Sequence, residues 1–290
     1  MIWGDALAAE AVVQDGGDDH VRIRGTRLDL AELVDRRLFD PAYAASLRAP
    51  LLGAQPFPHL VLDGWFNPRL LDLVHEEFDL FPSAELEANH TKRENTFRSR
   101  STAFGPATSL YFSIVNAGWF VDLLSDATGV ANLVPDAKLH GGGLHESRRG
   151  GSFHIHRDFD HHPRTGLYNE MVLLTYLNHD WDPQWNGALE LWDATASRCV
   201  KRIQPEFGRS VLMRHGLGSF HGHVDPLAPP PGRTRRSLGA YYYSNRLRRV
   251  DLEERHSTYL VNDRADRAKL LLKGLTPPLL WRALQNLSSR

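Results

Sequence analysis

A single cysteine, Cys199, stands in 290 residues, which excludes an intrachain disulfide framework and a cysteine-rich zinc site. A reducing, cytoplasmic setting is the expectation. Long apolar runs are also missing: none approaches the ~20 residues a bilayer-spanning helix needs, so no membrane partner is expected. Neither sign of charge is in excess. The formal net charge of −1 lacks the basic surplus of a general nucleic-acid binder, and no nucleic-acid partner is expected. The first ten residues, Met1 to Glu10, hold acids where a signal peptide has its apolar core, so no such peptide is expected. Repeats and low-complexity tracts are absent apart from Pro229–Pro231, read as a loop. Against these absences stands one surplus. Fifteen histidines occur, and most crowd between His140 and His223.

The 42% hydrophobic and 24% charged content belongs to an ordinary globular protein able to bury a large core. Three regions are expected: an N-terminal extension over 1–55, a main domain over 56–250, and a C-terminal helical tail over 251–290. In the extension, Asp15–Asp19 reads as a turn, His20–Arg24 as a short strand and Leu28–Leu38 as an amphipathic helix. Residues 56–132 read as helical support. There Phe57–Gly64 suits a strand, and Asn67-Pro68 caps a helix buried through Leu70, Leu71, Val74 and Phe78. Ser83–Ser101, with Lys92, Arg93, Arg98 and Arg100, reads as a charged loop, solvated or at a substrate rim, and Leu110–Ala127 as a second helix.

From about Leu133 to residue 250 the texture changes to short strand-like runs separated by glycine, proline and aspartate. They are Ala137–Leu144, Ser152–Phe159, Tyr168–Leu177, Ala188–Asp193, Cys199–Ile203, Ser210–Arg214, Gly218–His221 and Ser237–Tyr243. Such runs point to an antiparallel sandwich or barrel, so the fold class is mostly β with flanking helices, an α+β arrangement. The tail carries two short amphipathic helices over 264–290, expected to cover the barrel or to form a homodimer contact.

The histidine surplus resolves into one stretch, Gly150 to Pro163, which contains His156-Arg157-Asp158. Successive side chains of a strand alternate faces, so His156 and Asp158 point the same way and can converge on one cation. Two histidines with one carboxylate leave coordination positions open and suit non-heme Fe(II). The missing histidine has two candidates downstream, His221 and His223. A second H-x-D, His223-Val224-Asp225, runs at once into Pro226 and has only His256 after it, so the first pair is preferred. Arg235 and Ser237 share one face at the start of a strand, opposite Arg236. A guanidinium fork in a barrel mouth is expensive unless an anion meets it, and it matches a carboxylate in shape. A dicarboxylate holding iron at one end and Arg235 at the other fits that pair.

H-x-D, a strand-rich interval, His, then R-x-S resembles the iron(II)- and 2-oxoglutarate-dependent dioxygenases, in particular their prolyl 4-hydroxylase-like branch. Gly141-Gly-Gly-Leu-His145, Tyr176-Leu-Asn178 with Asp180-Trp181, Gly187–Leu191, Gln204-Pro205 and the tyrosine-rich strand after Arg235 extend the likeness, which spans about Phe57 to Arg246. The resemblance implies a distorted double-stranded β-helix, a jelly-roll or cupin-like core. It implies metal ligands His156, Asp158 and His221, with His223 the rival to the last. It implies co-substrate contacts from Arg235, Ser237 and Tyr176, and use of Fe(II), 2-oxoglutarate and dioxygen, with ascorbate as a stimulant. The reaction implied is hydroxylation of an unactivated C–H bond. The substrate is read as a prolyl or amino-acid-like group, peptide or small molecule, or as a carboxylate-bearing metabolite. Two features depart from the family pattern: Asn186-Gly187 replaces Gly-Gly, and a long proline-rich loop separates His221 from Arg235.

Plainer readings stand beside these. His154 reads as a donor supporting the ligands, and His161 and His162 as exposed turn residues. Trp181, Trp185 and Trp192 read as core. Arg148, Arg149, Arg157 and Arg164 read as solvated turn residues, or as a mouth for an anionic substrate. The alternative for the whole chain is a non-catalytic or zinc-binding, histidine-rich β-sandwich binding protein.

Overall fold

The computed structural model describes residues 19–80, 86–90, 95–99, 104–245 and 258–259. The expected turn before Asp19, the tail helices over 264–290 with their dimer contact, and the side chains of Lys92, Arg93, Arg98 and Arg100 lie outside the described residues.

Strand β1 (His20–Ile23) forms a hairpin with β2 (Thr26–Asp29). The helix expected over Leu28–Leu38 is not formed; two 3-10 turns, Leu30–Glu32 and Arg36–Phe39, take its place. The Asp35 carboxylate accepts the Arg37 amide at 2.9 Å, and that of Asp40 accepts the Ala42 amide at 2.8 Å. Aspartates that bond their own backbone compete with a continuous helix. Asp40 and Pro41 instead open helix α1 (Pro41–Gly53), which the apolar spacing did not announce. Ile23, Leu28, Leu38, Leu47 and Leu51 are buried in the same core as the helices that follow.

Strand β3 (His59–Asp63) and helix α2 (Pro68–Leu80) stand as expected from Phe57–Gly64 and Asn67-Pro68. In place of the charged loop, β4 (Leu86–His90) and β5 (Asn95–Ser99) form a hairpin joined to the main sheet. The single helix expected over Leu110–Ala127 is two, α3 (Pro106–Val115) and α4 (Gly118–Thr128), because Ala117 is extended between them. Glu77 of α2 is buried and accepts the Ala107 and Thr108 amides at 2.8 Å each, so a carboxylate caps the start of α3. No single described helix is long and apolar enough to cross a membrane.

Up to residue 245 the remaining strands are β6 (Val134–Pro135), β7 (Gly143–Ser147), β8 (Phe153–Arg157), β9 (Tyr168–Tyr176), β10 (Leu189–Trp192), β11 (Cys199–Ile203), β12 (Arg209–Arg214), β13 (His221–His223) and β14 (Arg235–Ser244). Two strand expectations shift. Asp136 accepts the Lys138 and His140 amides at 2.9 and 2.6 Å, which turns the chain where Ala137–Leu144 was read as extended. Ser219 likewise closes a turn on Gly216, donating to its carbonyl at 2.8 Å, so the strand read at Gly218–His221 begins only at His221.

The larger sheet runs β3-β12-β9-β14-β7-β5-β4, and the smaller contains β11-β10-β13-β8; the pairings among these named strands are antiparallel. Alternation along the larger sheet assigns its two faces. Leu173, Leu212, Leu238, Ala240 and Tyr242 pack with the helices. Val172, Tyr176, Val211, Tyr241 and Tyr243 pack with Leu189, Leu191 and Ile203 of the smaller sheet. The two sheets therefore enclose a second core, as a double-stranded β-helix does. Along β14 the period of two sends Arg235, Ser237, Gly239, Tyr241 and Tyr243 inward. Arg236, on the other face, meets Asp79 and the His75 carbonyl on α2.

Candidate functional site

Strands β8 and β13 pair with His221 opposite His156, and Asp158 follows β8 immediately. One ligand atom from each of His156, Asp158 and His221 can be chosen so that all lie within 4.8 Å of one another. All three are buried. His156 Nε2 stands 3.3 Å from Asp158 Oδ1, and His221 Nε2 stands 3.7 Å from Oδ2. Among the described residues this is the one such group of three.

The rings are aimed by the same device twice. His156 Nδ1 lies 2.8 Å from the carbonyl of His154, and His221 Nδ1 lies 3.0 Å from that of Ser219. A carbonyl only accepts, so each Nδ1 carries a proton and each Nε2 is turned toward the Asp158 carboxylate. Burial lowers the His221 pKa to about 4, although Asp158 opposes it, so this imidazole is neutral at neutral pH. Burial pushes the Asp158 carboxyl up, but His221, His156 and His215 around it outweigh that and hold it well below the usual range. Two imidazoles aimed through their Nδ1 atoms and one carboxylate are the donor set a divalent metal requires.

Gly222 makes the strand pairing possible. A Cβ there would stand 2.7 Å from the Phe153 carbonyl oxygen and 2.8 Å from that of His154. Two further side chains reach Asp158 that the sequence reading passed over. Tyr241 donates to Oδ2 at 3.2 Å, and His215 Nε2 lies 3.1 Å from the same oxygen. Tyr241 was available from the two-residue period of β14; His215, in the turn after β12, had no such signal.

The second half of the site is Arg235. It is buried, its Nε donates to the Gly187 carbonyl at 2.7 Å, and its Nη2 donates to the Tyr176 hydroxyl at 3.3 Å. Among the described residues no carboxylate pairs with it. A buried guanidinium in that state fits an anion that is not part of the chain. Burial pushes the Tyr176 phenol up, against the pull of Arg235, so Tyr176 keeps its proton and can donate. Gly187, at φ +81°, leaves room for the arginine: a Cβ would stand 3.0 Å from Arg235 Cδ and 2.5 Å from Leu227 Cδ2. This accounts for glycine in the Asn186-Gly187 pair. Ser237 is buried two residues along the same face of β14.

Other expectations divide. His223 is buried beside His221 but is not one of the three grouped ligands. His162, expected exposed, is buried, with Nε2 3.4 Å from Asp136 and Nδ1 accepting the Arg164 amide at 3.2 Å. His154 supports His156 through its carbonyl. Of the arginines, Arg157 is buried and pairs with Asp160 at 2.6 Å, Arg148 pairs with Glu146 at 3.0 Å, and Arg149 donates to the Pro229 carbonyl at 2.5 Å. These three hold the protein together. Aromatic rings stand beside the ligands instead: Phe153 at 4.0 Å from the His156 ring, and Phe159 at 5.4 Å from Tyr241, centroid to centroid.

Residues 142–248 match the model of the 2OG-Fe(II) oxygenase superfamily. No curated protein matches the sequence. Among solved structures, the chain resembles a prolyl-4-hydroxylase from Pseudomonas putida, with TM-score 0.52 and 15% identity over 70% of this chain and 100% of that one. It also resembles a prolyl hydroxylase from Trichoplax adhaerens in complex with a hypoxia inducible factor peptide fragment, with TM-score 0.53 and 16% identity over 74% of this chain and 96% of the other. At such identities the likeness is one of fold.

Proposed function

We propose that the protein, whose residues 142–248 match the model of the 2OG-Fe(II) oxygenase superfamily, is a 2-oxoglutarate-dependent dioxygenase using Fe(II) that hydroxylates an aliphatic C–H bond of a prolyl or amino-acid-like group. The observation that carries this reading is a site with two complementary ends. One end has three converging metal-binding groups; the other is a buried guanidinium that lacks a carboxylate partner among the described residues. Bound between them, Fe(II) and 2-oxoglutarate supply an oxidative decarboxylation to succinate and carbon dioxide that drives hydroxylation by dioxygen.

The chain's own contribution is placement. His156, Asp158 and His221 hold the metal, their orientation fixed by the His154 and Ser219 carbonyls and by Tyr241. Arg235 and Tyr176 take the distal carboxylate of the co-substrate, with Ser237 on the same face. Phe153 lies against the His156 ring and Tyr241 bonds Asp158, so the donor set is bordered by aromatic surface, which suits an aliphatic ring better than a charged metabolite. The internal pairing of Arg148, Arg149 and Arg157 also counts against an anionic substrate. The fold neighbours' action as prolyl hydroxylases supports the same choice.

The test is anaerobic titration of the Fe(II) protein with 2-oxoglutarate, followed by its weak visible charge-transfer band, and then succinate release with proline-containing peptides and free proline. A band lost in Arg235→Ala, and succinate released with one of those substrates, is the expected result. Tight zinc binding with no band would overturn the oxygenase reading; a band without turnover of any prolyl compound would overturn the substrate class.

A further inference from the structure

His223 is the buried histidine of this region that the metal group leaves out. It stands two residues after His221, so its side chain leaves β13 on the same face, about 6–7 Å along the strand. The register fixes the direction. His221 lies opposite Leu191 of β10 and Gly222 opposite Glu190, so His223 continues toward Leu189 and the Gly187 turn. The carbonyl of that turn holds Arg235. His223 therefore lies between the metal end of the site and the guanidinium end. On its other side it faces Phe153 of β8.

Its bonding separates it from the ligands. In both His156 and His221 the Nδ1 proton goes to the carbonyl two residues back. In His223, which is only 4% exposed, Nδ1 has no hydrogen-bond partner among the described residues. The bond that aims a ligand ring is missing, and a buried polar nitrogen awaits a partner. A five-carbon dicarboxylate that binds metal through one end and Arg235 through the other passes this position.

We propose that His223 is a binding residue for the dicarboxylate co-substrate, donating a hydrogen bond to one of its oxygens between the metal and Arg235. This rests on the oxygenase reading above. It makes His223 a third polar anchor beside Arg235 and Tyr176, and a determinant of which 2-oxo acid is accepted.

The experiment is anaerobic titration of the Fe(II)-loaded protein with 2-oxoglutarate, with chelator competition to measure metal affinity separately. Wild type, His223→Val, His223→Gln and Arg235→Leu are compared. His223→Val should leave metal affinity unchanged and weaken 2-oxoglutarate binding about tenfold to a hundredfold, as loss of a hydrogen bond to a charged group does. His223→Gln, which keeps a donor, should recover most of that loss. If the valine variant does not fold, His223→Met carries the same comparison. Wild-type 2-oxoglutarate affinity in His223→Val would overturn the proposal, as would loss of the metal, which would make His223 a ligand. Wild type failing to bind 2-oxoglutarate would sink the oxygenase reading itself. Binding that Arg235→Leu weakens and His223→Val does not would sink only the role of His223.

Discussion

Replacing Gly222 by alanine removes no ligand and no hydrogen bond, yet it should disable the metal site. The added Cβ would stand 2.7 Å from the Phe153 carbonyl oxygen and 2.8 Å from that of His154. Comfortable contact begins near 3.5 Å, so β13 and β8 would have to part by roughly 0.7 Å. Both obstructing atoms are backbone, and no rotamer change relieves them. The His154 carbonyl is also the acceptor that fixes the His156 ring. Overpacking of this kind costs about 1–3 kcal/mol of stability, and disturbing a ligand's orienting partner costs about tenfold to a hundredfold in metal affinity. Thermal unfolding and chelator competition, with Gly53→Ala as control because nothing lies within 4 Å of the new Cβ there, read the two effects separately. A Gly222→Ala protein that melts and binds metal like wild type would refute the close pairing of β8 with β13.

Glu77→Gln should destabilise the protein by about 2 kcal/mol, since a charged acceptor bonded to two buried amides gives way to a neutral one; an unchanged urea midpoint would refute the cap on α3. Stability of the metal-free protein should fall with acid. Burial lowers His221 and, with help from Arg236, His75 to about 4 each. In the unfolded chain both titrate near pH 6.5. Between those values the unfolded state binds more protons, so the stabilisation present above about pH 6.5 is lost as pH falls toward 4. Melting temperatures that stay flat across that window would show that neither histidine is buried as described.

What could be read from the sequence was what depends on periodicity alone. The face shared by Arg235 and Ser237, with Arg236 opposite, follows from one strand's alternation, and so does the pairing of His156 with Asp158 in direction. Register is different in kind. That His221 rather than His223 lies opposite His156 depends on which residues of β8 and β13 exchange bonds, and on a bulge between His221 and His223. No local pattern carries that. Local polar chemistry defeated periodicity elsewhere: Asp35 and Asp40 divided an apolar stripe into turns, and Asp136 bent a run with strand composition. Helix α1 was missed, although Asp40-Pro41 repeats the cap-and-proline signal of Asn67-Pro68. The burial of His162 was not legible, since its partner Asp136 arrives from a distant turn.

The electrostatics of the two ends bind them into one device. Asp158 is a buried anion among imidazoles, and Arg235 is a buried cation without a carboxylate of its own among the described residues. Their formal charges cancel across the site, but no ion pair joins them among the described residues, and a buried guanidinium without a carboxylate is costly in a water-poor interior. A dication at the triad would answer Asp158, and a dianion reaching from it to Arg235 would answer both the dication and the guanidinium. The added charges cancel in turn, so loading leaves the net charge unchanged while giving each buried group a partner. Either addition alone leaves an excess. The structure therefore favours binding the two together: metal should raise the affinity for the dicarboxylate, and by linkage the dicarboxylate should slow loss of the metal. Equal metal affinity with and without 2-oxoglutarate would mean that the two ends do not share a ligand.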